Sequence, residues 1–180
     1  MMSKIWFSSD FHFGHKNIAG PKISRWKSGY RIFDSVHDMN KTITDSLNKY
    51  IAQDDTLYFL GDWCMGGHHK TSHYRNLLNC KTIHFVRGNH DGKIDLYKDS
   101  FTSLNHILEI ELQGNRFYLS HYPNDNWFGR DAGVIHLFGH CHNTYLGQGK
   151  SMDVGIDVAW SRFGEFRPFE LTEVIQLLEN

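Results

Sequence analysis

Hydrophobic positions along this chain fall into short clusters with two different periods. Residues 4–9, 56–60 and 82–86 are runs of aromatic, β-branched and aliphatic side chains of strand length. Between the first two, Val36, Met39, Ile43, Leu47, Tyr50 and Ile51 recur at helical spacing behind Asp34 or Ser35 as N-cap, which predicts an amphipathic helix ending near Ile51. A shorter helix over 72–78 separates the second and third strands. A β-α-β-α-β order of this kind favours parallel strands joined by right-handed crossovers.

After Asp91 the texture changes. Segments 107–112 and 116–120 flank Gln113-Gly114-Asn115 and read as a hairpin, and 134–138 and 152–158 supply further strands, so the second half is expected to be mostly antiparallel. Thr172 can cap a final helix through Leu178, whose Val174, Ile175, Leu177 and Leu178 would cover a sheet face. There is no internal repeat, low-complexity tract or Pro/Gly linker, and a single domain spanning residues 1–180 is the economical organisation.

Five of the apolar runs end on a residue that can bind a metal. IWFSS leads to Asp10, LYFLG to Asp62, IHFVRG to Asn89, FYLS to His121 and IHLFG to His140. Parallel or mixed sheets gather the carboxyl ends of their strands along one edge, so donors distant in sequence can converge on one crevice. That points to a polynuclear metal site. Asp10 and His12 are two apart, as are His140 and His142, so in extended backbone each pair leaves the same face, with Cys141 turned the other way and excluded as a ligand. The carboxylate of Asp62 has two oxygens with which to bridge cations. Gly88-Asn89-His90-Asp91 combines a tight turn, an amide oxygen and a histidine followed by a carboxylate. Each of these signals has an ordinary structural alternative when taken alone: Gly-Asp is commonly a turn, and the GNHD asparagine can be a cap.

Charge and cysteine usage narrow the class. A net charge of −1 provides no global field toward nucleic acid or anionic lipid, so such contact must be local. Cys64, Cys80 and Cys141 form an odd set without a CxxC pair, which fits reduced thiols and a cytoplasmic location better than a disulfide framework or zinc ribbon. The first residues carry too short an apolar run for a signal peptide, and no segment has the length of a membrane span. Of the thirteen histidines, His68, His69 and His73 read as surface residues, and His37, His84, His106 and His136 as hydrogen-bonded structural ones.

The ordered series D-x-H, G-D, G-N-H-D, H and G-H-x-H, each element following an apolar strand, resembles the calcineurin-like metallophosphoesterase superfamily over nearly the whole chain. The resemblance implies an α/β fold: a four-layer α-β-β-α sandwich of two mixed β-sheets flanked by helices, in a small, uncapped domain. It implies one metal held by Asp10, His12, Asp62 and His142 and a second by Asp62, Asn89, His121 and His140, with Asp62 as the bridge. Mixed nitrogen and oxygen donors argue for a first-row transition metal rather than calcium or magnesium, and the resemblance implies two such divalent ions, manganese the first expectation, with iron, zinc, cobalt or nickel as substitutes. Two cations can polarise a phosphoryl group and generate a bridging hydroxide that attacks phosphorus in line. His90 would then protonate the leaving oxygen, with Asp91 orienting its imidazole, the alternative being a His90 that only holds the turn.

Candidate substrate contacts lie in the loops beside these motifs. Residues 13–33 carry Lys16, Lys22, Arg25, Lys27 and Arg31 interleaved with Trp26 and Tyr30, a lip able to hold phosphates and stack a base, or else an ordinary solvated loop. His15 and Asn17 lie just beyond the Asp10 and His12 pair, and Asn124, Trp127 and Arg130 follow His121 as an opposite wall. The expected substrate is a small phosphodiester or nucleotide rather than a long nucleic acid, with no membrane partner. A phosphomonoesterase of the same fold is the alternative, and a non-catalytic interaction scaffold the alternative of another class, although no expected ligand position is lost.

Overall fold

The strand-length runs of the first half form a parallel core. The computed structural model describes residues 3–25, 31–66 and 69–179, so Trp26, Lys27, Tyr30 and His68 lie outside the described residues. Strand β1 (Ile5–Ser8) is followed by a short helix α1 (Lys16–Ala19), which the sequence pattern does not reveal, and by α2 (Val36–Tyr50). Ser35 is the cap of α2, its Oγ accepting the Asp38 N–H at 3.0 Å. Then come β2 (Thr56–Phe59), α3 (Lys70–Leu77), β3 (Thr82–Val86) and, after a 3-10 segment, the short β4 (Ser103–Asn105). These four strands pair in parallel, and β9 (Phe169–Glu170), unmarked in the sequence, adds to β1 antiparallel, giving the order β4-β3-β2-β1-β9.

The second sheet has the order β5-β6-β7-β8, from β5 (Ile107–Leu112), β6 (Asn115–Ser120), β7 (Ile135–Phe138) and β8 (Ser151–Asp153). The hairpin turn is built by Gln113 and Gly114, both at positive φ (50° and 77°), the combination a type I′ turn requires. Two expectations are corrected here. Only β5 and β6 are antiparallel in this sheet; β6-β7 and β7-β8 are parallel, because the intervening segments are long enough to carry the chain back before each new strand. Residues 152–158 are also not one strand: the chain leaves β8 at Asp153 and, from Gly155 as N-cap, enters α4 (Ile156–Phe163). A short apolar run such as Ile156, Val158 and Ala159 fits either period, and a helix forms here.

Two cores result. On one face of the first sheet Leu57, Phe59, Ile83 and Phe85 pack against Met39, Ile43 and Leu47 of α2. On the other, Phe7, Tyr58 and Val86 meet Phe117, Leu119, Ile135 and Leu137 of the second sheet, with Phe7 stacked on Phe117 at 5.6 Å. The molecule is thus an α/β domain of two mixed sheets flanked by helices. Helix α5 (Leu171–Glu179) adds Leu171 and Val174 to the second core, and Thr172 falls within its first turn rather than at its cap. Among the described residues no helix is long and apolar enough to cross a membrane.

The structural histidines divide. His136 is fully buried against Ser120 (2.9 Å) and His84 bonds Ser103 (2.9 Å), whereas His37 and His106 are exposed.

Candidate metal centre

The donors at the strand ends converge. Ligand atoms of Asp10, His12 and His142 lie within 4.8 Å of one another, as do those of His12, Asp62 and His90, and those of Asp62, His121 and His140. Asp62 Oδ2 is 3.5 Å from both His12 Nε2 and His121 Nε2, which makes this carboxylate the link between two clusters. Asn89 joins through its Oδ1, 2.9 Å from His121 Nε2. All seven expected ligand side chains therefore meet, and Cys141 belongs to none of these groups.

The local backbone is not the extended one expected from the two-residue spacings. Asp10, His12, Asp62, His140 and His142 all have positive φ, between 45° and 70°, a left-handed region that few non-glycine residues enter, aspartate, asparagine and histidine more readily than the rest. Such strain collects at functional sites, where the surrounding structure holds it. Here the holding bonds are visible. The N–H of Asp10 donates to Gly61 O and that of His12 to Asp62 O, so the loops after β1 and β2 run side by side. Glycine is needed where these loops touch. A Cβ on Gly88 would lie 2.3 Å from Asp62 Oδ1, and one on Gly139 2.5 Å from Asp10 Oδ2.

Charge and hydrogen placement also fit cations. Burial alone would raise the Asp10 carboxyl, but the neighbouring imidazoles, His12 first (3.7 Å) and then His142 and His121, hold it well below the usual carboxylate range; Asp62 is lowered in the same way, chiefly by His121 against its burial. Both are therefore ionised. His121 Nδ1–H donates to Leu60 O (2.7 Å) and His142 Nδ1–H to Asp157 Oδ2 (2.7 Å), which leaves each Nε2 to present a lone pair inward when the ring is neutral. His142 Nε2 then faces His12 Nε2 at 3.2 Å, and His121 Nε2 faces the Asn89 oxygen. Without a cation, burial is opposed by the carboxylates and His121 is pushed up to about 9. Asp10 Oδ1 is buried without a hydrogen-bond partner. Acceptors converging on one another, one of them an orphaned anionic oxygen, form a donor set suited to divalent metal.

Two groups behind the ligands escape a reading of sequence. Asp157 orients His142 and is itself gripped by Arg31, whose Nε and Nη2 lie 2.7 and 3.0 Å from its two carboxylate oxygens. Arg31 also donates to the carbonyl oxygens of Asp10 (2.6 Å) and Phe11 (2.9 Å). It is buried, not part of a basic lip. The signal for Asp157, an acid in the first turn of a helix following a glycine, is too common to single out.

Other expected site residues divide. His90 is more than a third exposed, its Nε2 4.0 Å from Asp62 Oδ2, with its own N–H donating to Asp62 Oδ1. Asp91 does not orient the His90 ring: its buried carboxylate accepts the backbone N–H groups of Asp62, Trp63 and Gly88 at 2.7, 3.0 and 2.8 Å, locking the β2 loop to the β3 loop. His15 is buried beside His12 and His90, with ring centroids 5.3 and 6.0 Å away, and burial lowers it to about 4. Asn17 is used in its own loop, its Oδ1 taking the Arg25 N–H at 3.4 Å, while Arg25 is exposed. Trp127 is not a substrate wall; it is buried against His136 with its indole N–H on Val134 O (2.8 Å). Arg130 donates to Asp125 O (2.8 Å) and lies over Trp127, and Asn124 bonds Ser120 and Tyr122, so this turn is tied to itself. Tyr122, half exposed with its ring 4.6 Å from that of His140, is the aromatic side chain that borders the centre here.

Asp153 is a buried carboxyl behind the site, and desolvation followed by the charge of Asp10 pushes it up to about 8. The folded state thus keeps a proton that the unfolded chain releases near pH 4, so its contribution is present below that pH and is lost progressively as pH rises toward 8. In metal-free protein, Asp153→Asn is expected to flatten this part of the stability profile, which denaturant unfolding at pH 5 and pH 8 would measure. An unchanged slope would show that Asp153 is ionised throughout.

A family model for calcineurin-like phosphoesterases matches residues 3–167. The chain belongs to this family, and is thereby a metallophosphoesterase by class, with a site fit for divalent metal. Among curated proteins it is 30% identical to the uncharacterized protein MJ1445 of Methanocaldococcus jannaschii, over 99% of this chain and 93% of that protein. It is 25% identical to the Gene 66 protein of Mycobacterium phage L5, over 89% of each. In structure it is similar to AQ665 of Aquifex aeolicus, a protein of unknown function, with a TM-score of 0.72 and 23% identity over 98% of this chain and 100% of that one. An archaeal phosphodiesterase superposes with a TM-score of 0.50 at 16% identity, covering 84% and 83% of the two chains, a likeness of fold alone.

Proposed function

We propose that the whole 180-residue chain acts as one dinuclear-metal phosphodiesterase on a small phosphodiester or nucleotide. The observation that carries this reading is the position of Asp62 Oδ2, 3.5 Å from a histidine of each cluster, where a single carboxylate could serve two cations. Asp10, His12, Asp62 and His142 would hold one ion, and Asp62, Asn89, His121 and His140 the other. Manganese is the first to test. When bound, such a pair supplies Lewis acidity toward phosphoryl oxygens and acidifies water near neutral pH.

The remaining work falls to the chain's own groups. Asp157 and the Leu60 carbonyl fix the ring orientation of His142 and His121, so that each Nε2 points inward. Asp91 fixes the loops that carry Asp62 and His90. His90 is exposed on the rim beside Asp62 and would deliver a proton from its imidazole to the departing oxygen. No side chain is required as a nucleophile. The archaeal protein of similar fold is a phosphodiesterase, which agrees with the diester choice.

The test is a panel of bis-aryl phosphate, aryl phosphate, linear dinucleotides and 2′,3′-cyclic nucleotides with several divalent metals. Diester turnover with manganese, abolished by chelator and restored by metal, is the expected outcome. Preference for the aryl monoester would replace diesterase by phosphatase, and undiminished turnover after chelation would remove the metal from the account.

A further inference from the structure

The loops that carry the metal ligands continue outward as the wall of a second, longer depression. After His12 and Asp62 the two loops stay paired: Phe13 N–H donates to Trp63 O (3.0 Å) and Met65 N–H to Phe13 O (2.7 Å). A Cβ on Gly14 would lie 2.9 Å from Met65 O, so the contact is a close one. On one side of Met65 and Gly66 lies a cleft of about 260 Å³ bordered by His90, Thr71 and Lys93. On the other lies a cleft of about 670 Å³ between α2 and α3, bordered by Gly14, Lys16, Val36, Lys70, Tyr74 and Leu77. Met65 and Gly66 line both. The two clefts therefore adjoin across Met65 and Gly66, the nearer one beside the rim histidine and the farther one large enough for a nucleotide.

Their chemistry is asymmetric. The two clefts present Lys16, Lys41, Lys70 and Lys93. Their carboxylates are Asp45, ion-paired with Lys41, and Asp91, whose oxygens take three backbone N–H groups. Lys16, Lys70 and Lys93 have no ion pair among the described residues. The lining of the larger cleft also includes the apolar side chains of Val36, Met65 and Leu77, the ring of Tyr74 and the exposed His73. Cations beside apolar and aromatic side chains suit a chain in which phosphates alternate with flat, weakly polar rings.

We propose that the two clefts act as one groove that binds the continuing strand of a short single-stranded nucleic acid whose scissile diester lies at the metal centre. The inference rests on the phosphodiesterase reading and deepens it by naming an oligonucleotide as the substrate class. The overall charge of −1 is no obstacle, because the recognition is local.

The test uses Lys70→Ala/Lys93→Ala, which alters two side chains outside the metal centre. A fluorescein-labelled trinucleotide is titrated into metal-free wild type and variant, followed by anisotropy at several salt concentrations. The double variant is expected to raise Kd about tenfold and to flatten the log Kd against log salt slope by about 1.4, about 0.7 for each lost phosphate contact. With manganese, its kcat/KM on bis-aryl phosphate should stay within about twofold of wild type. Equal Kd and equal slope would overturn the groove, as would an equal loss on the aryl diester, which would place these lysines at the reacting phosphate. Failure of the phosphodiesterase reading has a different signature: no metal-dependent turnover of the aryl diester by wild type, with the binding comparison still deciding the groove.

Discussion

Asp62→Asn is expected to lower metal-dependent diester turnover by about a thousandfold, close to 4 kcal/mol of transition-state stabilisation, while leaving the fold intact. The structural part follows from how Asp62 is used. Its Oδ1 accepts the His90 N–H at 2.8 Å, a bond an asparagine oxygen can also accept. The functional part follows from Oδ2, which is buried between His12 and His121. The substitution exchanges an anion for an uncharged amide at the point where the clusters join, and an N–H donor can offer a cation no lone pair. Steady-state kinetics with saturating manganese, beside circular dichroism of the same preparation, would check it. Turnover within tenfold of wild type would show that Asp62 is not central.

The second large effect concerns stability. Arg31→Ala should destabilise the protein by about 3 kcal/mol, because breaking a buried pair from one side leaves an uncompensated charge. Asp157 would lose both guanidinium contacts, and the carbonyls of Asp10 and Phe11 would lose their donors. For a chain of this length that corresponds to a fall in melting temperature of about 6–12 °C. Lysine should rescue only part of it, since an ammonium cannot make the two-pronged contact with Asp157. Arg25→Ala, an exposed change in the same loop, serves as the control and should shift stability by less than about 0.5 kcal/mol. Equal melting temperatures for the two variants would contradict the assigned ion pair. Arg31→Ala should also weaken metal binding, since the carboxylate that holds the His142 ring would lose its anchor.

Much of the centre was legible because its donors are written at strand ends. A run such as LYFLG followed by aspartate reports both the strand and the residue at its mouth, and both features survive folding in β2 and Asp62. The pattern was silent on elements too short to show a period, such as β9 and β4, and ambiguous where an apolar run of helical or strand length follows a glycine, as at Ile156. It also misjudged how the ligands share a face. Asp10, His12, His140 and His142 reach it through left-handed backbone rather than through a pleat, which spacing alone does not encode.

Residues whose value lies in a partner were the hardest to see. Arg31 reads as one of several basic loop residues until Asp157, 126 positions later, is placed against it. Asp91, next to His90 in sequence, reads as that histidine's companion, yet folding turns its carboxylate toward three backbone amides. Trp127 reads as a binding-site aromatic and is consumed by the core around His136. Tyr122 has no distinguishing pattern and becomes notable only through its contact with His140.

The most direct test of the two-ion centre is the manganese content of the protein after equilibrium dialysis, measured as ions bound per chain. The account predicts two per wild-type chain and no more than one per chain for Asp62→Asn. A single ion in wild type, or two retained tightly by the variant, would contradict a pair of cations joined through Asp62.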